Sequence, residues 1–117
     1  MTANSPQTRK AKGREAAQLV RDMILSHIPE LQPDDVVVKS SGVKGEDLYL
    51  SPLARKKFPY CVEIKHCERT NIWEFLEQAK SHSITTGYPP LLIFKRNRSN
   101  FFVCMPFISF LSQHGTV

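Results

Sequence analysis

Apolar and polar residues recur along this chain in patterns that predict three helices. Between residues 15 and 28 the apolar side chains fall at three- and four-residue intervals, which indicates an amphipathic helix ended by Pro29 and Pro33. Asn71 is placed to cap a second helix, with Glu74 three residues later, and Gly87 ends it. Residues 107–113 predict a short final helix.

Five short apolar segments carry the signals of β-strands. The β-branched residues of 35–39 indicate the first strand, and alternation over residues 46–51 indicates the second. A third strand, residues 59–66, places Glu63 and Lys65 on one face because side chains alternate. Residues 91–95 and 101–105 predict two more. The expected order is α-β-β-β-α-β-β-α, an α/β domain in which a helical crossover makes the third and fourth strands parallel.

The distribution of charge divides the chain at its amino-terminal end. The chain has 117 residues, which suits one domain, and a formal net charge of +5. Residues 1–12 are polar and basic without apolar periodicity, so we predict a flexible arm there and one ordered domain over 13–117. Such an arm suits a phosphate-rich partner such as a nucleic acid, although a solvated tail has the same composition.

The cysteine pattern and the hydropathy of the chain indicate its cellular compartment. Three cysteines without a C-x-x-C pair argue against a disulfide framework and favour a reducing cytoplasm. No apolar run approaches the length of a membrane span, and no apolar segment follows the amino-terminal charges. The sequence therefore predicts a cytoplasmic protein without a membrane partner.

Three carboxylates occupy comparable places in the predicted fold. Glu15 lies in the first turn of the first helix, Asp47 at the start of the second strand and Glu63 on the third, with Lys65 on the face of Glu63. Converging carboxylates suit Mg²⁺, which prefers oxygen ligands and keeps several waters. Such an ion polarises a phosphoryl oxygen, and a neighbouring lysine can hold the attacking water or stabilise negative charge.

Each of these residues also has a purely structural explanation. Glu15 would suit the first turn of a helix, Asp47 a turn after Gly45, and Glu63 with Lys65 a solvated pair on an edge strand. The structural readings do not explain why an Asp and then Glu-x-Lys appear on successive strands of an otherwise apolar sheet. Taken together, the residues favour a metal site.

With these residues in place, the sequence resembles the PD-(D/E)XK nuclease superfamily, and within it the archaeal-type Holliday junction resolvases and similar phage nucleases. The resemblance rests on Gly45-Glu46-Asp47-Leu48, on Val62-Glu63-Ile64-Lys65 and on Lys12-Gly13-Arg14-Glu15, and it extends to a following helix with Gln78. It implies a restriction-endonuclease-like mixed sheet of about five strands flanked by helices. It also implies metal-dependent hydrolysis of DNA phosphodiester bonds.

The same resemblance implies roles for individual residues. Asp47 and Glu63 would hold Mg²⁺, for which Mn²⁺ is expected to substitute, Glu15 would be a further or water-bridged ligand, and Lys65 would position the nucleophile. Resolvases of this kind carry a catalytic serine, for which Ser41 or its neighbour Ser40 is the candidate. Glu46 stands where the motif has proline, so Glu46 competes with Asp47 as a ligand.

The leading hypothesis is a Holliday junction resolvase, with a general, nicking or flap-type phage nuclease and a non-catalytic DNA-binding module as alternatives. Two symmetric cuts in a four-way junction predict a two-fold homodimer, for which residues 101–111 offer apolar surface. Trp73, Phe101 and Phe102 are predicted to be core rather than base-stacking residues. Basic residues expected to contact DNA phosphates are Arg9, Lys10, Lys12, Arg14, Arg55, Lys56, Lys57, Arg96 and Arg98.

Overall fold

A computed structural model describes residues 5–40 and 43–115 of the chain. Within these residues ten elements follow one another, including a six-residue helix and a single turn of 3₁₀ helix at Pro33–Asp35. The helices are α1 (Pro6–His27), α2 (Pro52–Lys57), α3 (Ile72–Thr86) and α4 (Phe107–His114), and the strands are β1 (Val36–Val38), β2 (Leu48–Leu50), β3 (Cys61–His66), β4 (Pro90–Lys95) and β5 (Phe102–Cys104). The five predicted strands and the mixed α/β class are confirmed.

Strand β4 is the centre of a three-stranded sheet in the order β3-β4-β5. It runs parallel to β3, with Glu63 opposite Leu92, and antiparallel to β5, with Leu92 opposite Cys104. Helix α3 supplies the connection between β3 and β4, because two parallel neighbours cannot be joined by a tight turn. The predicted parallel pair is therefore confirmed.

Strands β1 and β2 form a separate antiparallel pair in which Val37 lies opposite Tyr49. One backbone hydrogen bond, from the Asp47 N–H to the Val62 carbonyl at 3.0 Å, joins this pair to β3. The next N–H along β3 that points towards this pair, that of Ile64, donates to the Asp47 side chain instead of to a backbone carbonyl. The strands thus divide into two small sheets that meet at Asp47.

The hydrophobic core lies between α1 and the two sheets. Leu48 and Val62 are fully enclosed, and Ala16 and Val20 on the buried face of α1 belong to the same core cluster. Small residues on α1 allow its backbone to lie close to β3, so the strand that carries Glu63 and Lys65 is held firmly from one side. In the described residues no helix is long and apolar enough to cross a membrane.

One helix begins earlier than the apolar pattern predicts, and another was not predicted. Helix α1 starts at Pro6 rather than near Gly13, within the residues interpreted as an arm, and α2 occupies a stretch predicted to be a connection. Both have the same start: a serine side chain accepts a backbone N–H, and a proline follows at the first helical position. Proline is favourable there because its fixed φ suits a helix and its missing N–H is not needed.

The aromatic residues predicted for the core do not all reach it. Phe101 packs against the core, as expected. Trp73 and Phe102 are 78% and 57% exposed, so the prediction for these two is wrong. The apolar pattern places a residue on one face of an element, but it does not show whether another element covers that face.

Candidate metal centre and DNA-binding clefts

Asp47 lies where the two sheets meet and is fixed by its own backbone and side chain. Its Oδ2 atom accepts the backbone N–H of Ile64 at 2.6 Å, and its N–H donates to the Val62 carbonyl. The side chain therefore bridges to β3, one residue beyond Glu63. The other oxygen, Oδ1, takes no part in this bond.

Glu63 and Lys65 share one face of β3, as the alternation of the strand predicts. The Glu63 side chain is only 7% exposed, and its Oε2 lies 3.6 Å from the Lys65 Nζ. Lys65 is 27% exposed, and its ammonium lies 5.1 Å from the centre of the Phe75 ring. A buried carboxylate and a partly solvated ammonium are thus held side by side, on an element that packing keeps rigid.

His82 on α3 completes the surroundings of Glu63. Its Nδ1 lies 3.0 Å from Glu63 Oε1, so the protonated Nδ1 donates to the carboxylate. The sequence analysis missed this residue. A signal was present, because His82 follows Ala79 by three residues and Phe75 by seven on the helix stripe that faces the sheet. Gln78 lies one turn earlier.

Burial and mutual repulsion disturb the ionisation of the two carboxylates. Burial raises the pKa of Asp47 above its ordinary value, against the opposing effects of the Ile64 N–H and nearby cations. Burial also raises the pKa of Glu63, the charge of Asp47 raises it further, and Lys65 and His82 oppose both. A buried and a partly buried carboxylate that repel each other are the arrangement that a divalent cation relieves.

The chain matches the family described as phage putative PDDEXK endonuclease over residues 30–115. This match covers most of the chain, including Asp47, Glu63 and Lys65.

The chain belongs to this family.

Neither the curated proteins nor the solved structures contain a match to the chain. The matched span begins after α1, so it does not extend to Glu15. Membership of the phage PDDEXK endonucleases makes the protein a nuclease, whose relatives generally use divalent metals and act on DNA.

Glu46, the competing ligand in this endonuclease, is engaged elsewhere. Its Oε1 forms an ion pair with Arg55, and the two side chains are 5% and 14% exposed. Arg55 also donates to the Tyr60 carbonyl at 2.7 Å and lies over the Tyr88 ring. Oε2 of Glu46 is buried without a hydrogen-bond partner among the described residues. Glu46 thus has a structural partner, whereas Asp47 forms no ion pair with the described residues.

The site suits a divalent cation that keeps several waters. Asp47 and Glu63 supply two carboxylates, which is enough for Mg²⁺. The described residues contain no cluster of three His, Cys, Asp or Glu side chains that could enclose an ion. Glu15 is exposed on α1 and is absent from the described lining of both clefts beside Asp47. A direct third carboxylate ligand is therefore not assembled in this conformation.

Two clefts meet at Asp47. The carboxylate cleft, about 610 Å³, is lined by Asp47, Glu63 and His82 together with Lys39. The α1 cleft, about 230 Å³, is lined by Lys10, Gly13, Arg14, Lys39 and Asp47, and Ser40 also reaches it. Ser41 lies outside the described residues.

The remaining predicted DNA contacts occupy several surfaces of the endonuclease. Arg9 and Lys56 are exposed and Lys12 is partly buried. Lys57 is 3.1 Å from Glu30, and Arg55 points inward to Glu46. Arg96 and Arg98 border a separate depression with Glu68 and Asn97. Cys61, Cys67 and Cys104 are all free, in agreement with the sequence.

Proposed function

We propose that this nuclease is a divalent-metal-dependent endonuclease that cuts branched DNA, with the four-way junction as its preferred substrate. The observation that carries the catalytic part is the joint placement of Asp47 and Glu63 at one cleft, with Lys65 on the face of Glu63. The preference for branched DNA rests on the sequence resemblance to junction resolvases.

Asp47 and Glu63 would hold the ion, which when bound polarises a phosphoryl oxygen and lowers the pKa of water. Lys65 would hold the attacking water and stabilise negative charge on the phosphate. His82 keeps Glu63 in one orientation through its Nδ1–H. We further propose that Glu15 contacts the ion through a bridging water. The catalytic serine at the phosphate would be Ser41 or Ser40.

Cationic side chains would bind the DNA backbone on either side of this site. Lys10, Arg14 and Lys39 line the cleft that continues from Asp47. Lys12, Lys56, Arg96 and Arg98 extend the basic surface. Contacts of this kind fix the position of DNA without reading its sequence, which suits recognition of a shape.

A second copy of the chain would supply the second cut of a junction. Helix α4 leaves Phe107 and Ile108 72% and 70% exposed, and Phe110 and Leu111 on the same helix are nearly half exposed. Unpaired apolar surface of this kind marks an association site. We therefore place the two-fold interface on α4 and propose a homodimer.

The test compares cleavage of a synthetic four-way junction, a flap, a linear duplex and a single strand, each with Mg²⁺ or Mn²⁺. We expect the junction to be cut fastest and in symmetric pairs. Equal rates on all four substrates would indicate a general phage nuclease instead, and DNA binding without any cleavage would indicate a non-catalytic module.

Light scattering tests the dimer separately. We expect the mass of two chains for the wild type and of one chain for Ile108→Asp. Wild-type protein that remains monomeric while it cuts junctions in pairs would contradict the dimer.

A further inference from the structure

Gly13 lies inside the 22-residue helix α1, where glycine is among the least favourable residues. A tight packing contact would explain the missing side chain. However, a Cβ atom placed at Gly13 would meet nothing within 4 Å among the described residues. No positive φ requires glycine there either, since the positive-φ glycines of the described chain are Gly45 and Gly87. Contacts with the described residues therefore do not explain Gly13.

The position of Gly13 suggests an explanation outside the chain. It lies on the wall of the α1 cleft between Lys10 and Arg14, which precede and follow it on the same face of the helix. Lys39 and Asp47 also line the α1 cleft, and both line the carboxylate cleft as well. No ion pair of the described residues includes any of these three cations.

A cleft with three cations that leads to a carboxylate site fits a polyanionic strand. The absence of a side chain lets a ligand's backbone approach a helix closely. We infer that the sugar-phosphate backbone of the cut DNA strand crosses α1 at Gly13, with its phosphates held between Lys10, Arg14 and Lys39, next to the phosphate at Asp47. The inference rests on the proposed nuclease function and adds to it the path of the strand.

This inference predicts that stability and DNA binding change in opposite directions. Alanine at position 13 improves helix propensity, and its Cβ would meet nothing within 4 Å among the described residues, so Gly13→Ala should raise the melting temperature by about 4 °C. Gly13→Leu fills the space that the strand needs, so its Kd for DNA should rise about tenfold or more. The matched control is Gln18→Leu, because Gln18 is exposed on the same helix and does not line the α1 cleft. This variant should bind DNA as the wild type does.

The experiment is a fluorescence-anisotropy titration of a labelled four-way junction in EDTA, repeated at several salt concentrations, beside thermal unfolding of each variant. The slope of log Kd against log salt should fall by about one or more in Gly13→Leu, because a strand that cannot cross α1 at Gly13 loses phosphate contacts with the cations of the cleft. It should fall by about one in Lys10→Met and in Arg14→Met, each of which loses one phosphate contact.

Three results would overturn the inference. Wild-type affinity in Gly13→Leu would show that no strand passes Gly13. A lower melting temperature in Gly13→Ala would show that the glycine serves the fold. Wild-type protein that binds no DNA would instead contradict the proposed nuclease function, and the inference would fail with it.

Discussion

Removing the Arg55 guanidinium should leave Glu46 charged and buried without a partner. The two side chains are 14% and 5% exposed, and Glu46 Oε2 already lacks a hydrogen-bond partner among the described residues. Breaking a buried ion pair from one side costs about 3–5 kcal/mol. Arg55→Met would also lose the hydrogen bond to the Tyr60 carbonyl, worth about 1 kcal/mol. We therefore expect the free energy of unfolding to fall by about 4 kcal/mol.

A loss of this size is a large part of the stability of a small domain, which is about 5–15 kcal/mol in total. Urea unfolding followed by far-UV circular dichroism measures it better than tryptophan fluorescence, because Trp73 is largely exposed in the folded state. Lys56→Met is the matched control: this residue is exposed on the same helix, and its loss should change stability by about 0.5 kcal/mol or less.

Adding Glu46→Gln to Arg55→Met should restore part of the lost stability, since the remaining partner is then neutral. We expect a coupling of about 1–3 kcal/mol in the double-mutant cycle. A cost below about 1 kcal/mol for Arg55→Met would refute the stabilising role of the pair. Loss of cleavage in folded Glu46→Gln, equal to the loss in Asp47→Asn, would show that Glu46 is the metal ligand.

Three further predictions concern the site and the core. His82→Ala should lower the cleavage rate about 10–100-fold at unchanged DNA affinity, because Glu63 loses its orienting donor, and His82→Asn should recover part of it; equal rates would contradict that role. Leu92→Ala should cost about 2–5 kcal/mol in urea unfolding, since Leu92 is fully buried, and a cost below 1 kcal/mol would contradict its place in the core. In EDTA, the free energy of unfolding should fall as the pH rises above about 4.5, because the raised pKa values of Asp47 and Glu63 make the folded state bind protons more tightly than the unfolded state. Asp47→Asn should weaken this pH dependence. A pH dependence that is the same in Asp47→Asn as in the wild type would contradict the pKa shifts.

The sequence predicted the strands and the shared face of Glu63 and Lys65 because both depend on local patterns. Alternation along residues 59–66 places Glu63 and Lys65 on one face regardless of what surrounds them, and the structure keeps them 3.6 Å apart. The helical segment between β3 and β4 similarly required a parallel pair. The position of Asp47 at the start of β2 could be predicted because the turn at Gly45 marks where that strand begins.

Contacts between distant elements could not be predicted in this way. The pairing of Glu46 with Arg55 depends on α2, whose start at Ser51 and Pro52 is a readable signal that the apolar pattern did not include. His82 reaches Glu63 only because of the rotation of α3 over the sheet. Trp73 and the apolar side chains of α4 are exposed because no described element covers them. The local sequence shows that a face is apolar, but it does not show whether another element packs over that face.

The most direct test of the account is cleavage of a four-way junction by the wild type, Asp47→Asn and Glu63→Gln, with Mg²⁺ and with EDTA. Binding of the same junction is measured in parallel. We predict that either substitution, or removal of the metal, abolishes cleavage while the protein stays folded and bound to DNA. Cleavage that continues at the wild-type rate in either variant would contradict a metal centre built on Asp47 and Glu63.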